Sequence, residues 1–282
     1  MRHLVGLVGA PVGQSLSPAM MRAAFAAAGL DAEYAVMETD APGLAAAVQR
    51  FAREGSPGFN VTIPHKAAII PFCRRLAPSA AAASAVNTMV REREGWVGHN
   101  TDGEGLAAFL DRRGVSRDGR QIVLLGAGGA ARGIAARLVA DSPRGVLIAN
   151  RDLSRADELA DLVRGLTPGM PVGTAALTEG AIRPLLTPPL LVIQATSLGA
   201  GGVGCPRFPF SALSPADAVI DAVYRPEETP FLAAARCAGA EILPGWGMLL
   251  YQGAAAFTLW FGIPAPIAAM ERALLDELAE GG

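Results

Sequence analysis

Gln121-Ile122-Val123-Leu124-Leu125-Gly126-Ala127-Gly128-Gly129-Ala130-Ala131 begins as an apolar run and turns through glycines into a helical pattern that reaches Ala140. The run reads as a buried strand, and Gly126-x-Gly128-x-x-Ala131 between strand and helix reads as a dinucleotide fingerprint. Glycine lets the backbone turn tightly and approach a pyrophosphate, while the helix start presents free N–H groups to negative charge. Gly126, Ala127, Gly128, Gly129 and Ala130 are therefore candidate cofactor contacts. Further out lie a strand at Val146–Ala149, a helix at Leu153–Arg164, and strands at Leu190–Ile193 and Ala218–Asp221. This succession predicts a Rossmann-type, doubly wound α/β domain. Where an NAD site usually places an acidic residue for the ribose diol, this chain has Asn150 and Arg151, with Arg155 one turn on. Two guanidinium groups and an amide suit a 2′-phosphate, which favours NADP. Asp152 has two readings: it repels that phosphate, or it caps the following helix.

The residues before this domain form a second α/β pattern. A strand at Leu4–Gly9 leads to Ser17-Pro18, read as N-cap and N1 of a helix that stops at Gly29. Tyr34 and Val36 fit an alternating strand; Pro42–Arg53 fits a helix, and Gly58–Thr62 another strand. Pro64–Arg75 reads as largely helical, broken at Pro71. Val86–Arg91 and Gly95–Asn100 read as a hairpin, and Thr101-Asp102-Gly103 starts a helix running to Arg113. Two helical patterns, about 248–261 and 265–279, close the sequence. The expected division is an open α/β substrate-binding domain at 1–102, completed by 247–282, with the nucleotide domain at 103–246.

Composition narrows the function. The 282 residues carry a net charge of −2 and no basic run, so nucleic acid has no electrostatic footprint here. Apolar stretches are interrupted well short of a membrane span, and the first residues lack a signal peptide's pattern. Three scattered cysteines suggest a reducing compartment, and cytoplasmic localisation is expected. Of 24 basic residues, Lys66 alone is lysine. Lysine can give and take a proton at physiological pH, whereas arginine stays charged. Asparagine is also sparse: Asn60, Asn87 and Asn100 fall at strand ends of the first domain, beside Ser15-x-Ser17 and Thr62, and Asn150 falls at the ribose position. Ligands of open α/β sheets bind beyond the carboxyl ends of strands, so these amides and hydroxyls suit a small polyhydroxylated molecule.

At these residues the chain resembles the shikimate dehydrogenase family. The likeness is carried by Ser15-Leu16-Ser17-Pro18, Asn60-Val61-Thr62-Ile63-Pro64-His65-Lys66, Ala85-Val86-Asn87-Thr88 and Gly98-His99-Asn100-Thr101-Asp102. It continues through the Gly126 fingerprint, Asn150-Arg151, Ala195-Thr196-Ser197-x-Gly199, Asp221-x-x-Tyr224-x-Pro226-x-x-Thr229 and Gly247-Met248-Leu249-Leu250-Tyr251-Gln252. The resemblance implies NADPH-dependent reduction of 3-dehydroshikimate to shikimate in aromatic biosynthesis. It implies Lys66 and Asp102 as the catalytic pair, with Lys66 the proton donor in reduction and Asp102 orienting it. Ser15, Ser17, Thr62, Asn87, Tyr224 and Gln252 would contact substrate, with Asn60 shaping its loop. Thr196 and Gly245 would join the cofactor set. The expected partner is the small-molecule substrate alone, with the chain a monomer or homodimer.

Gln14, Gln194 and Asp152 depart from the residues common at those family positions. Two other readings stay open: a quinate/shikimate dehydrogenase using NAD or NADP, which cofactor kinetics would distinguish, and a non-catalytic ligand-sensing module on the same scaffold. His3, His65 and His99 lack the spacing of metal ligands, and no metal is expected. Tyr251, Phe257, Trp260 and Phe261 recur at helical spacing and read as packing. Cys73 and Cys237 read as buried small hydrophobes, and Cys205 as a loop residue without an activating base.

Overall fold

The computed structural model describes residues 2–280. The chain divides into two compact units, Met1–Gly105 with Leu250–Gly282, and Leu106–Leu249.

The first unit contains β1 (His3–Gly9), α1 (Ser17–Ala28), β2 (Ala32–Glu38), α2 (Leu44–Arg53), β3 (Gly58–Val61), β4 (Arg75–Leu76), α3 (Pro78–Ala83), β5 (Thr88–Glu92) and β6 (Gly95–His99). Helix α4 (Asp102–Arg113) follows. The sheet runs β2-β1-β3-β5-β6-β4. β1 is parallel to β2 and β3, β5 is antiparallel to β3 and β6, and β4 is parallel to β6. One face holds the buried cluster of Val8, Val48, Phe51, Phe59, Ile69, Met89 and Trp96. In it Phe51 stacks on Phe59 with ring centroids 4.4 Å apart, and Trp96 meets Phe59 edge-on at 5.1 Å.

The second unit contains β7 (Gln121–Leu125), α5 (Gly129–Leu138), β8 (Gly145–Asn150), α6 (Leu153–Leu166), β9 (Val172–Ala176), α7 (Glu179–Ile182), β10 (Leu190–Gln194), β11 (Ala218–Asp221), α8 (Pro230–Cys237) and β12 (Glu241–Leu243). Its sheet runs β12-β11-β10-β7-β8-β9, every neighbour parallel. This is the Rossmann order, in which β7 lies where the winding reverses. Strands β7, β8, β10 and β11 are buried along almost their whole length, as a parallel sheet flanked by helices requires.

Two closing helices are α9 (Trp246–Phe261) and α10 (Ile267–Glu280). In the first unit α10 packs on α1, and Gly253 of α9 sits so close to Met20 that a Cβ would lie 2.4 Å from its Cε. Trp260 Nε1 donates to the Met89 carbonyl at 3.0 Å, and Phe257 is fully buried. These residues are core, as their spacing predicts. The unit division passes through α4 and α9 rather than through linkers. No described helix is long and apolar enough to cross a membrane.

Three local expectations change. Residues 63–69 form turns, followed by a single 3-10 turn at Ile70–Phe72 and then β4, instead of a helix over Pro64–Arg75. The carbonyls a helix would need are used elsewhere: Ile63 accepts from Ala10 N–H at 2.9 Å, and Lys66 accepts from Val86 N–H at 2.7 Å. Pro64 and Pro71 also lack donors. Ser17 is the first helical residue rather than the cap, and its N–H donates to Ser15 Oγ at 3.2 Å. Cys237 is exposed at the end of α8, not buried.

Candidate active site

Lys66 leaves the turn region just after β3, and Asp102 opens α4. Their side chains meet with Nζ 2.5 Å from Oδ2, at exposures of 12% and 6%. Three features place the aspartate. Asn100 Oδ1 accepts the Asp102 N–H at 3.1 Å, an Asx-type start to the helix. Asn100 Nδ2 is tied in turn to the Ala85 carbonyl at 3.0 Å. Asn87 Nδ2 donates to Asp102 Oδ1 at 3.0 Å, so each carboxylate oxygen has its own donor. Lys66 is placed by its own main chain, which bonds across to Val86 beside Asn87.

Asn87 is the hub of the first unit's site. Its Oδ1 accepts from the Thr101 N–H at 2.7 Å and from Thr88 Oγ1 at 2.9 Å. Its Nδ2 also reaches Thr101 Oγ1 at 3.0 Å and Gln252 Oε1 at 3.4 Å. Gln252 comes from α9 far along the chain, brought in because Gly105 of α4 has no side chain: a Cβ there would stand 2.4 Å from the Gln252 nitrogen. Lys66, Asp102, Asn87 and Gln252 are thus joined by hydrogen bonds. Ser15 and Ser17 lie at the start of α1, and Thr62 follows β3, its N–H bonded to the Val8 carbonyl at 2.9 Å. Asn60 is buried under the strand ends, bonded to Thr88 and to Tyr34. The sequence places Tyr34 on a strand and Thr88 and Thr101 in family-like motifs, but gives none of the three a site role. For Tyr34 and Thr88 the only sign is a polar atom at a buried strand position, and for Thr101 its place just before α4.

The second unit holds the nucleotide-type residues. Gly126 has φ +108°, a left-handed backbone that favours glycine, and a Cβ there would stand 3.0 Å from the Ala195 carbonyl and 3.1 Å from Thr196 Cγ2. A Cβ at Gly128 would meet nothing within 4 Å. Side chains cap α6, α7 and α8, but none caps α5. The turn therefore offers open space over uncapped N–H groups, as a pyrophosphate requires. Arg151 and Arg155 are exposed beyond β8. Asp152 takes the capping role: its Oδ1 accepts from Ser154 N–H at 3.0 Å and Ser154 Oγ at 2.8 Å. Asn150 Nδ2 closes the same turn on the Asp152 carbonyl at 2.8 Å.

Gln194 and Asp221, register partners at the ends of β10 and β11, organise the neighbouring loops. Gln194 Nε2 donates to Asp221 Oδ1 at 3.1 Å and to the Leu198 carbonyl at 2.8 Å, and its Oε1 accepts the Thr196 N–H at 2.5 Å. Asp221 also accepts from Val223 N–H at 2.9 Å and Thr229 Oγ1 at 2.6 Å. Burial pushes its carboxyl up to about 6, against the pull of those hydrogen bonds. Tyr224 lies half-buried on the loop this network holds, and Gly245 presses on the Asp221 and Val223 carbonyls, leaving no room for a Cβ. Gln194 is thus a loop anchor, a role its sequence position alone did not disclose.

A Rossmann-order sheet with an open glycine turn, carried in one chain with a buried lysine–aspartate pair, defines an α/β oxidoreductase of the dinucleotide-dependent class. Three stretches of the chain match family descriptions. Residues 7–89 match "Shikimate dehydrogenase substrate binding domain", 110–170 match "Shikimate / quinate 5-dehydrogenase", and 245–275 match "Shikimate 5'-dehydrogenase C-terminal domain". A Moorella thermoacetica protein named shikimate dehydrogenase (NADP(+)) is 43% identical over 280 residues, covering 98% of this chain and 93% of that one. The solved Thermus thermophilus shikimate 5-dehydrogenase in complex with NADP(H) and shikimate is 31% identical, with a TM-score of 0.84 over 98% of this chain and all of that one. Quinate dehydrogenase from Corynebacterium glutamicum in complex with NAD is 29% identical, with a TM-score of 0.85 over 98% of this chain and all of that one. The chain belongs to the shikimate dehydrogenase family.

Proposed function

We propose that the chain catalyses the reversible NADPH-dependent reduction of 3-dehydroshikimate to shikimate, with Lys66 and Asp102 as the catalytic pair. The observation that carries this reading is the 2.5 Å contact between the chain's single lysine and a buried carboxylate. Bound NADPH supplies the hydride. The glycine turn from Gly126 to Ala130 would hold its pyrophosphate, and Asn150, Arg151 and Arg155 would hold its adenosine 2′-phosphate, with Thr196 and Gly245 completing the cofactor set. Lys66 Nζ gives a proton to the substrate oxygen in reduction and takes it back in oxidation. Asp102 fixes the direction of Nζ. Ser15, Ser17, Thr62, Asn87, Tyr224 and Gln252 would hold the substrate's hydroxyls and carboxylate. The reading makes the protein a cytoplasmic enzyme of aromatic biosynthesis, active as a monomer or homodimer on a small-molecule substrate, with no nucleic-acid or membrane partner.

The test is steady-state kinetics of Lys66→Ala and Lys66→Arg beside the wild type, with shikimate and quinate each paired with NADP and NAD. Both variants should lose kcat by about 10²-fold or more, with melting temperature and NADP affinity retained. Arginine keeps the charge but holds its proton too tightly to relay it. Near wild-type turnover in Lys66→Arg would reduce Lys66 to an electrostatic anchor. Faster turnover of quinate with NAD would move the substrate assignment to the quinate branch.

A further inference from the structure

The side chains behind Asp102 form a hydrogen-bond chain in which both amides have a fixed orientation, with the Thr88 hydroxyl between them also 3.2 Å from Thr101 Oγ1. Asp102 Oδ1 can only accept, so Asn87 Nδ2 faces it, 3.0 Å away. The Thr101 N–H can only donate, and it sits 2.7 Å from Asn87 Oδ1, which fixes the same orientation independently. Asn87 Oδ1 therefore accepts from Thr88 Oγ1 at 2.9 Å, and Thr88 Oγ1 accepts from Asn60 Nδ2 at 3.1 Å. Asn60 Nδ2 also faces the Asn87 carbonyl at 3.3 Å, a pure acceptor. That leaves Asn60 Oδ1 for the Tyr34 hydroxyl, 2.8 Å away. With the Thr88 hydroxyl donating to Asn87, every hydrogen from Tyr34 to Asp102 points toward the carboxylate. Tyr34, Asn60, Asn87, Thr88 and Asp102 are all buried, none more than 6% exposed, so bulk water cannot replace a missing link. Aligned bonds in a low-dielectric interior polarise one another.

We propose that Tyr34 is a positioning residue for the Lys66–Asp102 pair, acting through Asn60, Thr88 and Asn87. The proposal rests on the catalytic reading of that pair. Tyr34 comes from β2, two strands away from β3 in the sheet, and its ring lies beside Trp260 with centroids 6.5 Å apart. Removing its hydroxyl leaves Asn60 Oδ1 without its donor, frees the Asn60 amide to shift, and loosens the Asn87 amide that holds Asp102 Oδ1.

The experiment compares Tyr34→Phe, Thr88→Val and Thr88→Ser in the full-length protein, in wild-type and Lys66→Ala backgrounds, with kcat, shikimate KM, NADP affinity and thermal melts. Tyr34→Phe and Thr88→Val should each lower kcat about fivefold, with NADP affinity unchanged, and Thr88→Ser should restore most of the loss. In the Lys66→Ala background Tyr34→Phe should cost nothing further, because Asp102, which it holds, no longer has a lysine to orient. An equal factor in both backgrounds, or wild-type kcat in Tyr34→Phe, would overturn the proposal while leaving the catalytic pair standing. Undiminished kcat in Lys66→Ala itself would overturn both. Should Tyr34→Phe not fold, the Thr88 variants decide the matter by the same criteria.

Discussion

Single residues in this protein are read most clearly where chemistry and burial conflict. Asp221 is fully buried and is ionised at neutral pH against its surroundings, its carboxyl raised from the usual 3.8 to about 6. Between those two values the folded state keeps a proton that the unfolded chain has released, so stability falls as pH rises through that window. Below 3.8 the penalty vanishes; above about 6 it is complete, on the order of 3 kcal/mol. Asp221→Asn cannot ionise, and its melting temperature should gain on the wild type from about pH 4 to about pH 6 and level off above that. A difference between the two that stays constant across that range would show that the buried charge carries no such cost. Lys66 stands at the other extreme. Its rarity makes it conspicuous in the sequence, whereas Asp221 reads there as a strand end that opens a family-like motif, and only the fold shows it buried between Gln194 and Thr229.

At the level of elements, the approach of α4 to α9 decides whether Gln252 reaches Asn87. Gly105→Ala puts a methyl group against the Gln252 backbone, where neither helix has a flexible atom to move aside. The variant should be destabilised by about 1–3 kcal/mol, and its shikimate KM should rise while NADP affinity holds. An unchanged KM would mean that Gln252 contributes nothing to the substrate site. Helices and strands with strong patterns were legible before the structure. The apolar runs of β7, β8, β10 and β11 announce a buried parallel sheet, and Phe257 and Trp260 announce a core-facing stripe. Others had no such voice. β9 is Val-Gly-Thr-Ala-Ala at a sheet edge, half exposed, and β12 has three residues. The stretch after Pro64 has helix-forming alanines, yet the Ile63 and Lys66 carbonyls are claimed by Ala10 and Val86, and no local pattern reports a bond to a distant segment. The same limit hid the chain from Tyr34 to Asp102: its members were visible one by one, but their alignment is a property of the folded sheet.

For the molecule as a whole, the first and last stretches of sequence build one unit around an inserted other. Truncation after Leu249 removes Phe257, Trp260, Met270 and Leu274, all buried, from the first unit. Limited proteolysis of that truncated chain should cut quickly within residues 1–105 and slowly within Leu106–Leu249, whose sheet and core cluster are its own. Uniform protection or uniform digestion would contradict that division. The same arrangement bears on how the protein is made. A ribosome emitting about 5–20 residues per second releases β1 to β6 early, then spends on the order of ten seconds on the nucleotide-binding unit before α9 and α10 appear. Throughout that interval the apolar side of α1, with Met20 and Phe25, has no helix to cover it. The half that bears Lys66 is begun before the nucleotide-binding unit and completed after it, so the nascent chain passes through a stage in which that apolar surface is open to a chaperone.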